Sequence, residues 1–287
     1  MLRVNRIGFG ALRLPQTGAA LEPGSPPRDR AQAIAVLRKA VELGVNHIDT
    51  AAFYFSSLRS ANELINSALS PYPDDLVIAT KVGPSRDPSG EWRRPPATPD
   101  QLRGQVEENL RQLGRDHLDL VYLRAQEPTD LTERFAALAE LRDAGLIRHL
   151  GISAISTERL AEVQAVAPVT AVQNAYGLGF RPEQDDLIRL CAEQDIAYVP
   201  YFSIATDNRE AGGTSDPDEL LAVAKAHDAT PAQVRLAWTL ARGPNVLVIP
   251  GTGDPEHLAE NMAAADLRLT ADDLAVLDAL HKRSQIL

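Results

Sequence analysis

The feature that most constrains this chain is a rhythm. Short apolar runs alternate eight times with longer stretches of helical periodicity over 287 residues. The apolar runs are Ile7 to Ala11, Val45 to Asp49, Leu76 to Lys81, Leu118 to Leu123, His149 to Ser153, Ala171 to Asn174, Ala197 to Tyr201 and Val246 to Pro250. Between them apolar residues recur at helical spacing, as in Ala33, Val36, Leu37, Ala40 and Val41. Thr98-Pro99 and Ser156-Thr157-Glu158 read as helix starts. Strand and helix alternating in this way predict an α/β chain folded as a (β/α)8 TIM barrel, with no internal boundary over residues 1–287.

Two stretches break the rhythm. Pro84 to Pro99 holds five prolines and Trp92, so it can be neither helix nor central strand. It follows the third strand directly, which lays it over the carboxyl-end face as a candidate pocket wall; a surface loop with Trp92 packed locally is the plain alternative. Ser203 to Pro217 is a polar loop after the seventh strand. The C-terminal helix is expected over Ala271 to Leu280, leaving a short tail that would narrow the mouth of the barrel very little.

Composition excludes several classes of function. A net charge of −10 argues against nucleic acid or an anionic membrane as partner. No apolar run approaches the roughly 18 residues of a membrane span. The N-terminal residues Met1 to Leu14 carry three arginines and no apolar block, unlike a secretory signal. The single cysteine, Cys191, excludes an internal disulfide and a multi-cysteine metal site; no metal is expected. A cytoplasmic protein, monomeric or a weak homo-oligomer, follows as the expectation.

In parallel barrels chemistry is done at the carboxyl ends of strands. The second strand ends on Asp49, with Tyr54 five residues on, and the third on Lys81. Lys81 is one of only four lysines beside 25 arginines, which sets it apart from the chain's usual choice of cation. An acid, a phenol and an amine at neighbouring strand ends can move a proton. The phenol would be the acid, the ammonium would lower its pKa, and the carboxylate would anchor the ammonium. Singly, each has an ordinary role: a turn cap, a packed ring, a lysine reaching for solvent.

No Gly-x-Gly-x-x-Gly follows a strand. Barrels instead hold phosphate with the loops after the last strands and a helix N-terminus. Ile249-Pro250-Gly251-Thr252-Gly253-Asp254-Pro255 has the small residues and the helix start for that task, and equally those of an ordinary turn.

Asp49-Thr50-Ala51-Ala52-Phe53-Tyr54 with Thr80-Lys81 resembles the aldo-keto reductases, and the likeness runs from Arg6 to about Leu269. The wording at Val45 to Thr50, Leu123-Arg124 and Ile249 to Thr252 is most similar to the bacterial pyridoxal reductases. The resemblance implies NADPH-dependent reduction of a small-molecule aldehyde or ketone, pyridoxal first, with Asp49, Tyr54 and Lys81 catalytic. A carbonyl reductase on a sugar or secondary-metabolite intermediate, or an NADPH-binding regulatory subunit with little turnover, are the rival expectations. It implies Ser153 and Gln173 on the nicotinamide carboxamide and Tyr201 stacked on its ring. The backbone from Phe202 through Ser203 and Ile204 to Ala205 would meet the pyrophosphate. Gly251, Thr252, Gly253, His257, Glu260 and Asn261 would surround the adenosine end, and Phe53, Trp92 and Arg124 would face substrate.

Three departures from the family pattern matter. The histidine usual after the fourth strand is Arg124, which can donate hydrogen bonds but cannot exchange a proton. None of the six histidines replaces it: His117 begins that strand, and His47 reads as a satisfied core residue. Ala154 stands where an asparagine usually follows the serine, and Gly251 and His257 stand where a lysine and an arginine usually hold the 2′-phosphate. NADPH is still expected over NADH, with reduced discrimination.

Overall fold

A computed structural model describes residues 2–93, 95–125, 130–204 and 216–283. Seven parallel strands run in sequence order: β1 (Phe9–Gly10), β2 (His47–Asp49), β3 (Val77–Val82), β4 (Leu118–Arg124), β5 (Ile147–Ser153), β6 (Ala171–Gln173) and β7 (Ala197–Tyr198). The eighth apolar run does not form a regular strand. It closes the ring through two parallel bridges, Tyr198 to Val246 and Ile7 to Val248. Leu247 N donates to Tyr198 O at 2.9 Å and Gly8 N to Val248 O at 2.8 Å, so the ladder is continuous. The architecture is the (β/α)8 barrel that the alternation predicts. Expected strands are mostly trimmed, since the outer residues of each run pass into the connecting loops; β3 is shifted by one residue, and β4 and β5 instead extend by one and two residues.

Ten α-helices are described: α1 (Arg30–Glu42), α2 (Ala61–Leu69), α3 (Pro99–Leu113), α4 (Leu131–Asp143), α5 (Thr157–Gln164), α6 (Asp185–Glu193), α7 (Asp218–Ala226), α8 (Pro231–Leu240), α9 (Pro255–Ala263) and α10 (Ala271–Arg283). Local chemistry sets their starts. Thr98 and Gln101 form a reciprocal capping box on α3, as Thr230 and Gln233 do on α8. Among the described residues no helix is long and apolar enough to cross a membrane. The last helix runs past the expected end at Leu280. His281 is therefore no tail residue but a buried one, 5.3 Å from the Tyr176 ring and 4.6 Å from that of Trp238. Residues 284–287 lie outside the described ones.

Two cores result. Between sheet and helices pack Leu37, Ile65, Val106, Phe135 and Leu187, among others. Inside the barrel are Ala79, Leu120, Tyr122 and Ala171. Tyr122 fits there because its neighbour in the ladder is Gly151: a Cβ at that glycine would stand 2.5 Å from Tyr122 Cδ1 and 2.9 Å from Ala171 O. Gly151→Ala is expected to cost about 1–3 kcal/mol in urea denaturation, the range for overpacking a full core. Tyr122→Leu in the same chain should restore part of the loss, because it removes the ring that the new methyl meets.

Candidate active site

The ends of β2 and β3 bring the acid and the amine into contact. Lys81 Nζ donates to Asp49 Oδ1 at 2.5 Å and to Thr50 O at 3.1 Å. Both side chains are 4% exposed. Tyr54 follows from the turn after β2, where its N–H bonds Ala51 O, and its ring centroid is 5.0 Å from Lys81 Nζ. Burial alone would depress the ammonium, but Asp49 and then Tyr54 outweigh it and hold Lys81 above its ordinary value. The lysine is a fixed cation.

The phenol departs from expectation. Burial raises the Tyr54 pKa above 10.0, and the opposing pull of Lys81, with a smaller one from Arg124, does not cancel it. The residue therefore rests as a protonated acid, the form that gives up a proton, and the flanking cations stabilise the phenolate when one forms.

A polar frame that the linear sequence does not reveal positions this group. Thr50 and Thr80, the neighbours of Asp49 and Lys81, point the other way. Thr50 Oγ1 donates to Asn62 Oδ1 at 2.7 Å, Asn62 Nδ2 to Asn109 Oδ1 at 2.9 Å, and Thr80 Oγ1 to that same oxygen at 2.6 Å. All four side chains are fully buried. Across the mouth, Gln173 Nε2 donates to Asp49 Oδ2 at 2.7 Å. Asp49 thus spends one oxygen on the lysine and the other on the glutamine.

Arg124, Ser153 and Gln173 lie in one register row across β4, β5 and β6. Ser153 Oγ and Gln173 Oε1 are buried and have no hydrogen-bond partner among the described residues. Such atoms cost free energy unless something supplies a partner. Asn174, whose role sequence reading missed, holds the next loop by accepting from Ile155 N at 3.0 Å and donating to Ile155 O at 2.7 Å. Ala154 there has φ of 60°, a left-handed conformation that suits asparagine better than alanine. Tyr201 is half-buried, with Phe202 at 4.9 Å edge-on to it and the Arg124 guanidinium 5.4 Å from its ring centroid. Ser203 is buried and Ile204 packs toward Ile7, Leu236 and Val248. Ala205 and most of the loop to Pro217 lie outside the described residues.

The opposite wall is apolar. Phe53 meets the Tyr54 ring at 5.1 Å and the Trp92 ring at 5.6 Å, both edge-on. Arg86, unnoticed in the sequence, fixes that wall by donating to the carbonyls of Phe53, Phe55, Gly90 and Leu21. His47 is buried as expected but not satisfied: among the described residues its Nδ1 has no partner, and burial lowers its pKa, which favours the neutral ring. His117 lies at the amino end of β4 beside Asp116, far down the strand from Arg124.

At the glycine-rich loop the small residues serve close neighbours. A Cβ at Gly251 would stand 2.4 Å from Gly10 O, and one at Gly253 would stand 2.0 Å from Arg28 Cζ. The start of α9 is capped by Asp254, which accepts from Glu256 N at 2.8 Å. Of these residues Gly253 lies against Arg28; His257 is largely exposed, Glu260 is exposed and Asn261 is buried. Arg28 is anchored by bonds to Arg13 O and Gln16 O. Its pKa is lowered by burial and by Arg13 and raised by Asp254.

A sequence profile described as the aldo/keto reductase family matches residues 6–282. The chain belongs to the aldo/keto reductase family. It is 41% identical to pyridoxine 4-dehydrogenase of Escherichia coli over 286 residues, covering 97% of this chain and 96% of that protein. It is 36% identical to an uncharacterised oxidoreductase of Schizosaccharomyces pombe, with 96% and 86% covered. An aldo/keto reductase of Klebsiella pneumoniae, solved in complex with NADP and acetate, superposes with a TM-score of 0.78 at 29% identity, covering 97% of this chain and 92% of that one. This aldo/keto reductase is thus an oxidoreductase whose polar strand ends converge on one barrel mouth.

The ion pair is the most exacting element of that mouth. Asp49→Asn leaves a buried ammonium facing a neutral amide, and about 3–5 kcal/mol of stability should be lost in urea denaturation. Adding Lys81→Met removes the orphaned charge and should recover much of it. A double variant no more stable than Asp49→Asn would contradict that account.

Proposed function

We propose that this chain reduces a small aldehyde or ketone to the alcohol with NADPH, and that pyridoxal is its first candidate substrate. One observation carries the reading: a protonated, buried Tyr54 backed by a fixed ammonium faces a row in which Ser153 Oγ and Gln173 Oε1 lack partners. Those two atoms suit a carboxamide, the hydroxyl as donor to its oxygen and the glutamine oxygen as acceptor for its NH2. Tyr201 beside them offers a flat face for a ring. When bound, the nicotinamide supplies the hydride to the carbonyl carbon.

The protein's own part is the proton. Tyr54 Oη donates it to the carbonyl oxygen as that oxygen gains charge, and Lys81 stabilises the phenolate left behind. Asp49 keeps Lys81 in place and is itself held by Gln173. One glutamine therefore touches both the proton-transfer group and the proposed cofactor position. Phe53 and Trp92 would face the substrate's ring, and Arg124 its oxygen. The Escherichia coli relative is named for pyridoxine oxidation, the reverse of pyridoxal reduction. We place the enzyme in the cytoplasm, where a chain with a single free cysteine needs no disulfide for its fold.

The adenosine end needs a cation that Gly251 and His257 do not give. With Asp254 already capping α9, a phosphate there would rely on side chains, and we assign Arg28 to it. Arg28→Ala should weaken NADPH by about tenfold, or 1.4 kcal/mol, and NADH far less, by fluorescence titration. Equal losses for both would remove Arg28 from 2′-phosphate recognition.

Steady-state NADPH oxidation with pyridoxal tests the activity itself. Tyr54→Phe should abolish turnover while NADPH still binds; wild-type turnover in that variant would remove the acid. Because the folded phenol titrates above 10.0, reduction should hold level through neutral pH and fall only in alkali. Alcohol oxidation, which needs the phenolate, should rise over that same range.

A further inference from the structure

Two arginines buried in this fold are consumed by it: Arg86 donates to four carbonyls, and Arg235 to Leu178 O and Asp216. Arg124 differs. It is half-buried at the end of β4, and among the described residues no carboxylate or carbonyl accepts from its guanidinium. Its contact is the Tyr201 ring at 5.4 Å, and its charge is felt by Tyr54. A fixed cation with free donors is held between the proton donor and a flat aromatic face.

We propose that Arg124 recognises an acidic oxygen adjacent to the reacting carbonyl, so that the site selects aldehydes with an ortho-hydroxyl or comparably placed anionic oxygen. The inference rests on the reading that Tyr54 protonates the carbonyl. A carbonyl oxygen bonded by Tyr54 has a second lone pair, and Arg124 is the next cation within electrostatic range. A guanidinium presents parallel N–H groups in one plane, and that fork fits two oxygens that are themselves coplanar and close together. In an ortho-hydroxy aromatic aldehyde the carbonyl oxygen and the ring oxygen are such a pair. One N–H takes the carbonyl and the other takes the phenolate. Phe53 and Trp92, in contact with each other, offer an apolar wall for the aromatic ring of such a substrate.

The exchange of histidine for arginine then has a chemical reason. A neutral imidazole gives one N–H to a carbonyl and leaves an adjacent anion unmet. Arginine keeps its charge at every working pH and meets both oxygens. A site built to bond a substrate oxygen discriminates strongly against the analogue that lacks it, because its own donor is then left unpaired.

The test compares kcat/KM for 2-hydroxybenzaldehyde, 4-hydroxybenzaldehyde and benzaldehyde, all with NADPH. The 4-isomer carries the same electron-donating, ionisable group in the wrong place. The wild type should prefer the 2-isomer to the 4-isomer by about tenfold or more. In Arg124→Met that ratio should fall to within about twofold even though rates on all three drop. Arg124→Lys, which keeps the charge but loses the fork, should fall between. Circular dichroism and the thermal midpoint show that each variant folds. A wild-type ratio near one, or a ratio that survives in Arg124→Met, overturns the role of Arg124 and leaves the reduction standing. No turnover on any of the three, or on pyridoxal, overturns the reduction itself.

Discussion

A buried ion pair at the centre of a barrel mouth is expensive, and the arrangement around Asp49 and Lys81 follows from meeting that expense. Taking both charges from water is compensated only where geometry is fixed and the remaining lone pairs are used. Asp49 therefore bonds Lys81 with one oxygen and Gln173 with the other. Lys81 adds the carbonyl of Thr50. The hydroxyls of Thr50 and Thr80 turn outward into Asn62 and Asn109, so the two strand ends cannot slide relative to each other. Ladder pairing sets the height of the residues and this network fixes their azimuth.

Electrostatics then decide which way the chemistry is biased. Burial keeps Tyr54 protonated, whereas Lys81 and Arg124 stabilise its conjugate base. These are not competing designs. An acid must hold its proton before the reaction and release it during the reaction, and it is the developing charge on the carbonyl oxygen that changes the balance. The same cations that fail to ionise the resting phenol are in place when the proton leaves. With Tyr54 as the proposed acid, reduction would profit from this directly, whereas oxidation would first have to remove the proton against the cost of burial.

What could be read from the linear sequence follows a physical division. Asp49, Tyr54 and Lys81 were legible as candidates because each stands at or just after the end of an apolar run, where a strand buried on both faces turns to polar residues. Their convergence follows from a parallel sheet with consecutive neighbours. The Gln173 bridge was not legible in that way, since it joins residues 124 apart in sequence across the mouth. Nor were Asn62, Asn109, Arg86 and Arg28, which sit in helices or loops among many similar polar residues. The glycines of the eighth connection carried an ambiguous signal: they suggested room for an anion, but their missing side chains make room for Gly10 and Arg28. His47 was legible as buried but not as unsatisfied, because only the surrounding barrel shows that its Nδ1 has nowhere to turn.

The two halves of the mouth differ in how completely they are built. The ends of β2 and β3 are closed networks in which almost every polar atom has a partner, so they need no ligand to take up their geometry. The ends of β5 and β6 present Ser153 and Gln173 with unmet atoms, at a standing cost that a carboxamide would relieve. Gln173 belongs to both halves. A group that engages its free oxygen also restrains the amide that holds Asp49, and through Asp49 the lysine. On the proposed cofactor position, a bound carboxamide would be coupled through this one side chain to the group formed by Asp49 and Lys81. Arg124 stands apart from both networks, its donors uncommitted among the described residues, and the proposed substrate preference would therefore rest on a residue that the acid and its anchor do not use.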